Sequence, residues 1–156
     1  MSDHFDYVSD FSTAQAMSWV DMPELGERAR ILLRPATQEG NPAYYNAMLR
    51  LSGKRARQLA RSGTISVADL EKNRLDDRQL FPKFIIESWE HVETREDRGR
   101  PFAEKEFVPF NREAATELCE KLPAHLFDRI RNHAATEENF YPEEQIPPDA
   151  EDLVGN

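Results

Sequence analysis

The chain has 156 residues and a mass of 18.1 kDa, with 39% hydrophobic and 31% charged residues and a mean hydropathy of -0.73. That is material for one domain with a modest core under a polar surface. No apolar run approaches the ~18 residues of a membrane span, Met1–Phe5 lacks the basic start and apolar stretch of a secretory signal, and the single cysteine, Cys119, has no internal partner. These features exclude a membrane protein, a secreted disulfide scaffold and a collagen-like repeat, and they fit a reducing cytoplasm.

The net charge of -9 is unevenly spread: residues 1–24 hold five acids and no Lys or Arg, and residues 132–156 hold seven acids and no Lys or Arg, which leaves +3 for residues 25–131. Acidic ends with few large aliphatics are solvated segments. The composition therefore predicts a polar acidic lead-in over 1–13, a single mostly helical domain over 14–141, and an acidic, proline-containing tail over 142–156, with both ends disordered.

Within the domain, Met17–Val20 and Arg28–Arg34 read as extended, the second with Ala29, Ile31 and Leu33 alternating with Arg30, Leu32 and Arg34. The turn residues Asp21–Gly26 between them predict a small hairpin. Asn41-Pro42 opens a helix, because Asn accepts orphan backbone N–H groups and Pro suits the first helical position. On a 100° wheel Tyr45, Met48, Leu49, Ala56, Leu59 and Ala60 share one side, and Arg50, Lys54, Arg57 and Arg61 form a basic stripe opposite. Gly53 is a weak point in this helix and Gly63 a C-terminal stop. Ser66-Val67-Ala68-Asp69 resembles a capping box and predicts a helix over about 67–92, kinked or divided at Pro82, with Phe81, Phe84, Ile85, Ser88, Trp89 and Val92 along its later face.

Residues 93–110 form a charged loop with a turn at Asp97-Arg98-Gly99. Its aromatics Phe102, Phe107 and Phe110 either fold it onto the body or dock a partner. Asn111 caps the next helix, with Phe110 placed to pack onto Ala115, and Pro123 restarts a helix whose buried stripe is Leu126, Phe127, Ile130 and Ala134. The fold class predicted is mainly α: one helical domain with a small N-terminal β-hairpin. Trp89, Phe110, Leu126, Phe127 and Ile130 are its structural anchors.

Chemistry-bearing motifs are scarce. The chain has no Gly-rich phosphate loop, no H-E-x-x-H and no EF-hand pattern. His133 and Glu137, four apart, suit a metal pair, but three or four ligands do not assemble, so neither metal nor cofactor is expected. Cys119 sits mid-helix between Leu118 and Glu120, as a small packing residue does. Neighbouring carboxylates such as Asp76-Asp77 point ~100° apart on a helix and share no site. The basic stripe has the spacing to track phosphates, yet no base-reading residues interleave with it, and a solvated face or one paired with the protein's own acidic ends is the simpler reading. No enzymatic reaction is indicated.

The order of features resembles the tail assembly chaperones of long-tailed bacteriophages: Trp89-Glu90-x-Val92 at a helix end, a polar turn with Gly99, Pro109-Phe110-Asn111 and Glu113-Ala114 opening a helix, then Leu118, Leu122, Pro123, Leu126, Ile130 and a late Asn139-Phe140. Arg34-Pro35 closing a strand and Asn41-Pro42-Ala43-Tyr44 starting a helix are similar as well. The stretch Phe102–Val108 departs from the family's short passage from Gly turn to Pro-Phe. The resemblance implies a non-enzymatic protein of the bacterial host's cytoplasm, absent from the mature virion. Such a protein keeps the tape-measure protein soluble, helps recruit tail-tube subunits, and has no membrane or nucleic-acid partner; self-association is compatible with the role. Phe102 and Phe107 are the expected partner-binding residues. The competing readings are a structural protein of the head–tail junction or tail, and a small helical nucleic-acid-binding regulator.

Overall fold

The computed structural model describes His4, residues 17–64 and residues 66–141. The expected lead-in over 1–13, His4 apart, and the tail over 142–156 lie outside the described residues. Strands β1 (Ser18–Asp21), β2 (Arg30–Leu33) and β3 (Ile86–Glu90) form one antiparallel sheet in that order. Helices α1 (Pro42–Ser62), α2 (Val67–Phe84), α3 (Arg112–Lys121) and α4 (Ala124–Ala135) complete the mainly helical domain.

The predicted N-terminal hairpin forms, with Val20 opposite Ile31 and Trp19 opposite Leu32. The predicted helix over 67–92 is shorter than the pattern suggested. It ends at Phe84, and residues 86–90 leave it as β3. Pro82 lies in the last turn, where its missing N–H costs a single helical bond, so it marks the approaching end and not a kink between two helices. The helix-like spacing of the buried residues has a geometric cause. Leu33 faces Ile86 and Ile31 faces Trp89, two residues apart on β2 but three apart on β3, because the register shifts between Leu32 and Leu33. That bulge keeps Ile86 and Trp89 on one buried face at a spacing that mimics a helical turn. Trp89 therefore anchors the core from a strand.

The capping residues act as their chemistry dictates. The side chains of Asn41, Ser66 and Asn111 accept the backbone N–H groups of Tyr44, Asp69 and Ala114. Gly63 closes α1 in the left-handed region at φ 70°, donating its N–H to the Leu59 carbonyl. α1 runs through Gly53 unbroken. The core lies between the inner face of the sheet (Val20, Ile31, Leu33, Ile86, Trp89) and the buried stripes of α2, α3 and α4. Phe81 is central to it, edge-on to both Tyr44 of α1 and Phe127 of α4, with ring centroids 5.7 and 5.5 Å away. Leu126, Phe127 and Ile130 are buried, and a final turn over Glu137–Phe140 brings in Phe140.

Candidate protein-interaction surfaces

Residues 91–110 wrap around one buried carboxylate. Asp97, with no exposed surface, accepts the backbone N–H groups of Thr94 and Phe107 on Oδ2 (2.9 and 2.8 Å) and of Glu106 on Oδ1 (2.8 Å). Burial alone would raise its pKa, but these N–H groups outweigh it and hold the carboxyl at about 2. The expected turn is present: the Arg100 N–H meets the Asp97 carbonyl at 3.0 Å, and Gly99 supplies φ 95°. A shielded ion pair, Lys105–Glu93 at 2.9 Å, ties the far side of the loop to its start, and the Lys105 ammonium draws the Glu93 pKa down. Glu93 also accepts the Glu27 N–H at 2.7 Å, joining the loop to the β1–β2 connection.

Phe102 and Phe107 belong to this clasp. Their rings lie 5.5 Å apart, each about as far from the His91 ring (5.3 and 5.0 Å), and the Arg28 guanidinium covers Phe102 at 4.0 Å. Both side chains are half-buried. His91 and Phe107 hold φ of 59° and 61°, a costly region for residues with a Cβ. The Asp97 bond to the Phe107 N–H fixes the second of these. Trp89 lies beneath, donating its indole N–H to the Val108 carbonyl at 2.8 Å and meeting the half-buried Phe110 ring edge-on at 5.0 Å.

The second surface is the α1–α2 hairpin. A polar network fixes its base to α4. Tyr44 donates its hydroxyl to Asp77 at 2.7 Å, Arg131 donates to the same carboxylate at 2.8 Å, and Asp128 receives both Arg131 (3.0 Å) and a bidentate Arg74 (3.0 and 2.8 Å). Higher up, Arg55 pairs with Asp76 and Asn73, and a groove of about 220 Å³ opens between the helices, lined by Met48, Ala56 and Leu59 on one side. Beyond it nothing among the described residues covers the hairpin. Six of the seven exposed large apolar side chains among the described residues belong to it: Leu49, Leu51 and Leu59 on α1, and Val67, Leu70 and Leu75 on or at the start of α2, 40–76% exposed. The wheel put Leu49 and Leu59 on the apolar side of α1, and that side extends past what α2 covers. Arg50, Lys54, Arg57 and Arg61 stand exposed and make no ion pair among the described residues.

The other chemically suggestive residues have structural surroundings. Cys119 is buried, and desolvation pushes its thiol up to about 12, which keeps it protonated at neutral pH. His133, paired in the sequence with Glu137, instead faces the Ser18 hydroxyl at 3.0 Å. Among the described residues none of the helices is long and apolar enough to cross a membrane. The sequence pattern did not single out Asp97, whose partners are backbone N–H groups, or the Tyr44–Asp77–Arg131 set, whose members lie far apart in the chain.

Comparison with known proteins places this compact, sheet-backed helical domain among phage-derived proteins. Residues 39–152 match the family described as YdaY prophage protein, which is most of the chain, and the chain belongs to that family. No curated protein and no solved structure matches it.

Proposed function

We propose that this prophage protein is a non-enzymatic tail assembly chaperone, acting in the host cytoplasm to keep the tape-measure protein soluble and to help recruit tail-tube subunits. The observation that supports this reading is the set of exposed apolar side chains carried by the α1–α2 hairpin. A tape-measure protein presents long apolar helices before the tube encloses it, and the shallow groove at Leu59, with further exposed leucines on the same hairpin, offers such helices apolar surface to pack against. The half-buried Phe102 and Phe107 leave part of each ring for a contact of the same kind, on a loop that Asp97 holds rigid.

The test is co-expression with the tape-measure protein of the same prophage. The wild type is expected to bring that protein into the soluble fraction and to co-purify with it. Leu59→Glu combined with Leu70→Glu is expected to lose both effects while keeping its far-UV circular dichroism, and Phe102→Ala with Phe107→Ala measures the loop's share. Recovery of nucleic acid by the basic stripe, or a stoichiometric ring of the protein in purified virions, would replace this reading with one of its rivals.

A further inference from the structure

We propose that the basic face of α1 in one copy of this protein docks on an acidic face of α3 in a second copy, so that chains associate head to tail through two complementary helix surfaces. This self-association stands apart from the chaperone reading, because neither face includes the groove between α1 and α2 on which that reading draws.

Three observations carry it. The first is the state of the bases on α1, which contains five basic residues and no acid. Arg55 lies on the side of α2, where it meets Asp76 and Asn73. Arg50, Lys54, Arg57 and Arg61 recur at intervals of four, three and four residues. They therefore form one row on the opposite side of the helix, over about 16 Å of its length. All four are exposed, and none makes an ion pair among the described residues.

The second is that the same chain carries the matching acidic row. Glu113, Glu117 and Glu120 recur at intervals of four and three on α3, all exposed, on the side away from the buried Ala115 and Cys119. Glu113 and Glu120 make no ion pair among the described residues. Glu117 has only its pair with Lys121 at 2.7 Å, exposed on both sides and of the kind that adds little and is easily exchanged. Laid antiparallel, the two helices set Glu113 beside Arg61, Glu117 beside Arg57 and Glu120 beside Lys54, because the spacing of the two rows is the same. The acids of the other helices are engaged: Asp76 by Arg55, Asp77 by Arg131, and Glu71 and Asp128 by Arg74. Asp69 of α2 is left over singly and forms no row.

The third is placement. α2 packs against both α1 and α3 and so stands between them. The basic row lies opposite the side on which α1 contacts α2 through Tyr44 and Arg55, and the acidic row lies opposite the side that α3 buries. The two rows of one copy therefore face away from each other and cannot meet within the chain. Complementary faces at different places on one molecule make a heterologous contact, which leaves one row free at each end of the assembly. The basic row would also suit a polyanion, but a nucleic acid would have to approach a chain of net charge -9, whereas a second copy brings the acids already spaced to fit. The contact is short and polar, so it is weak and screened by salt.

The test is analytical ultracentrifugation of the full chain at low salt. The average mass is expected to rise with protein concentration above the 18.1 kDa of one chain, and to return to it in about 1 M salt, where the Debye length is about 3 Å. Two charge-reversed variants are each expected to stay monomeric with unchanged far-UV circular dichroism: one carries Lys54→Glu, Arg57→Glu and Arg61→Glu, the other Glu113→Lys, Glu117→Lys and Glu120→Lys. Mixed in equal amounts they should associate again, since each supplies the charge the other has lost. Should a reversed variant fail to fold, changing the same three residues to Gln removes the charge of that row without reversing it and should also give a monomer. A wild type that is monomeric at every concentration, association that survives the loss of either row, or folded reversed variants that do not associate when mixed overturns the proposal. So does association that only Leu59→Glu with Leu70→Glu removes, which would place the contact on the hairpin leucines. A protein that stays monomeric and retards a DNA oligonucleotide through the basic row overturns it in favour of nucleic acid. The tape-measure protein enters none of these measurements, so their failure leaves the chaperone reading to its own test.

Discussion

Trp89→Ala should destabilise the domain severely, and the structure says by how much. Trp89 is 7% exposed on the central core face, between the Ile31 position of β2 and the loop above. Truncating a buried Trp to Ala costs about 3–5 kcal/mol through lost transfer energy and the cavity left behind. The same change leaves the Val108 carbonyl without the indole donor at 2.8 Å and removes the edge-on contact to Phe110 at 5.0 Å. Those losses favour the upper half of the range, about 4–5 kcal/mol. For a chain of this size that corresponds to a midpoint lowered by about 8–20 °C. Trp89→Phe keeps most of the ring and loses mainly the hydrogen bond, so it should cost about 1–2 kcal/mol and supplies a foldable comparison. Urea denaturation followed by far-UV circular dichroism measures both. Fluorescence of Trp89 alone, in a Trp19→Phe background, should be blue-shifted and protected from acrylamide. A loss below about 1 kcal/mol for Trp89→Ala, or red, quencher-accessible emission, would refute the burial on which the estimate rests.

Three further outcomes are expected. Asp77→Ala leaves the Arg131 guanidinium and the Tyr44 hydroxyl without their shared acceptor and should cost about 2–4 kcal/mol, against about 1 kcal/mol for Tyr44→Phe; equal, negligible losses in chemical denaturation would count against a network that fixes the hairpin. Acid should destabilise the protein: Asp97 is held at about 2, below its unfolded value of about 4, so its contribution is complete above that higher value and is lost as pH falls through about 2. A thermal midpoint that does not fall between about pH 5 and pH 2, or one equally acid-sensitive in Asp97→Asn, would contradict this assignment. Truncation after Tyr141 should move the midpoint by less than about 2 °C, since Phe140 is the last buried core residue of the described chain, and a larger drop would place core contacts beyond it.

Local rules were legible in the sequence wherever one residue type settles one backbone problem. Asn41, Ser66 and Asn111 as caps, Gly63 as a stop and the Gly99 turn could be read directly, because each satisfies or terminates its own neighbourhood. β3 could not. Its two buried residues, Ile86 and Trp89, are separated by the bulged extra residue, and the spacing of three reads as helix until β2 is known to lie alongside. Of the two partner-binding residues expected, Phe102 and Phe107, the sequence showed an aromatic pair in a charged loop. It did not show that Asp97 organises that loop, because Thr94, Glu106 and Phe107 meet the carboxylate through backbone N–H groups that carry no side-chain signature. The exposed leucines were hidden for the opposite reason: periodicity identifies an apolar side but not how far the neighbouring helix extends to cover it.

The hairpin allocates its side chains in an unusual way. Its base is held to α4 by Tyr44, Asp77, Arg131, Arg74 and Asp128, while its leucines and Val67 face solvent. Ion pairs at half-buried positions add little net stability compared with apolar packing, because desolvation cancels most of their attraction. Full burial of a leucine side chain is worth about 1.5–3 kcal/mol, so apolar contacts at the base and polar residues at the edge would have made a more stable hairpin. The polar network does provide direction: the fork of Arg131 and the Tyr44 hydroxyl converge on one carboxylate and fix the angle at which α1 and α2 leave the body. An arrangement that gives up apolar burial at the edge and fixes the orientation of that edge is suited to presenting it to something outside the domain. The helix-binding role proposed above would use both properties.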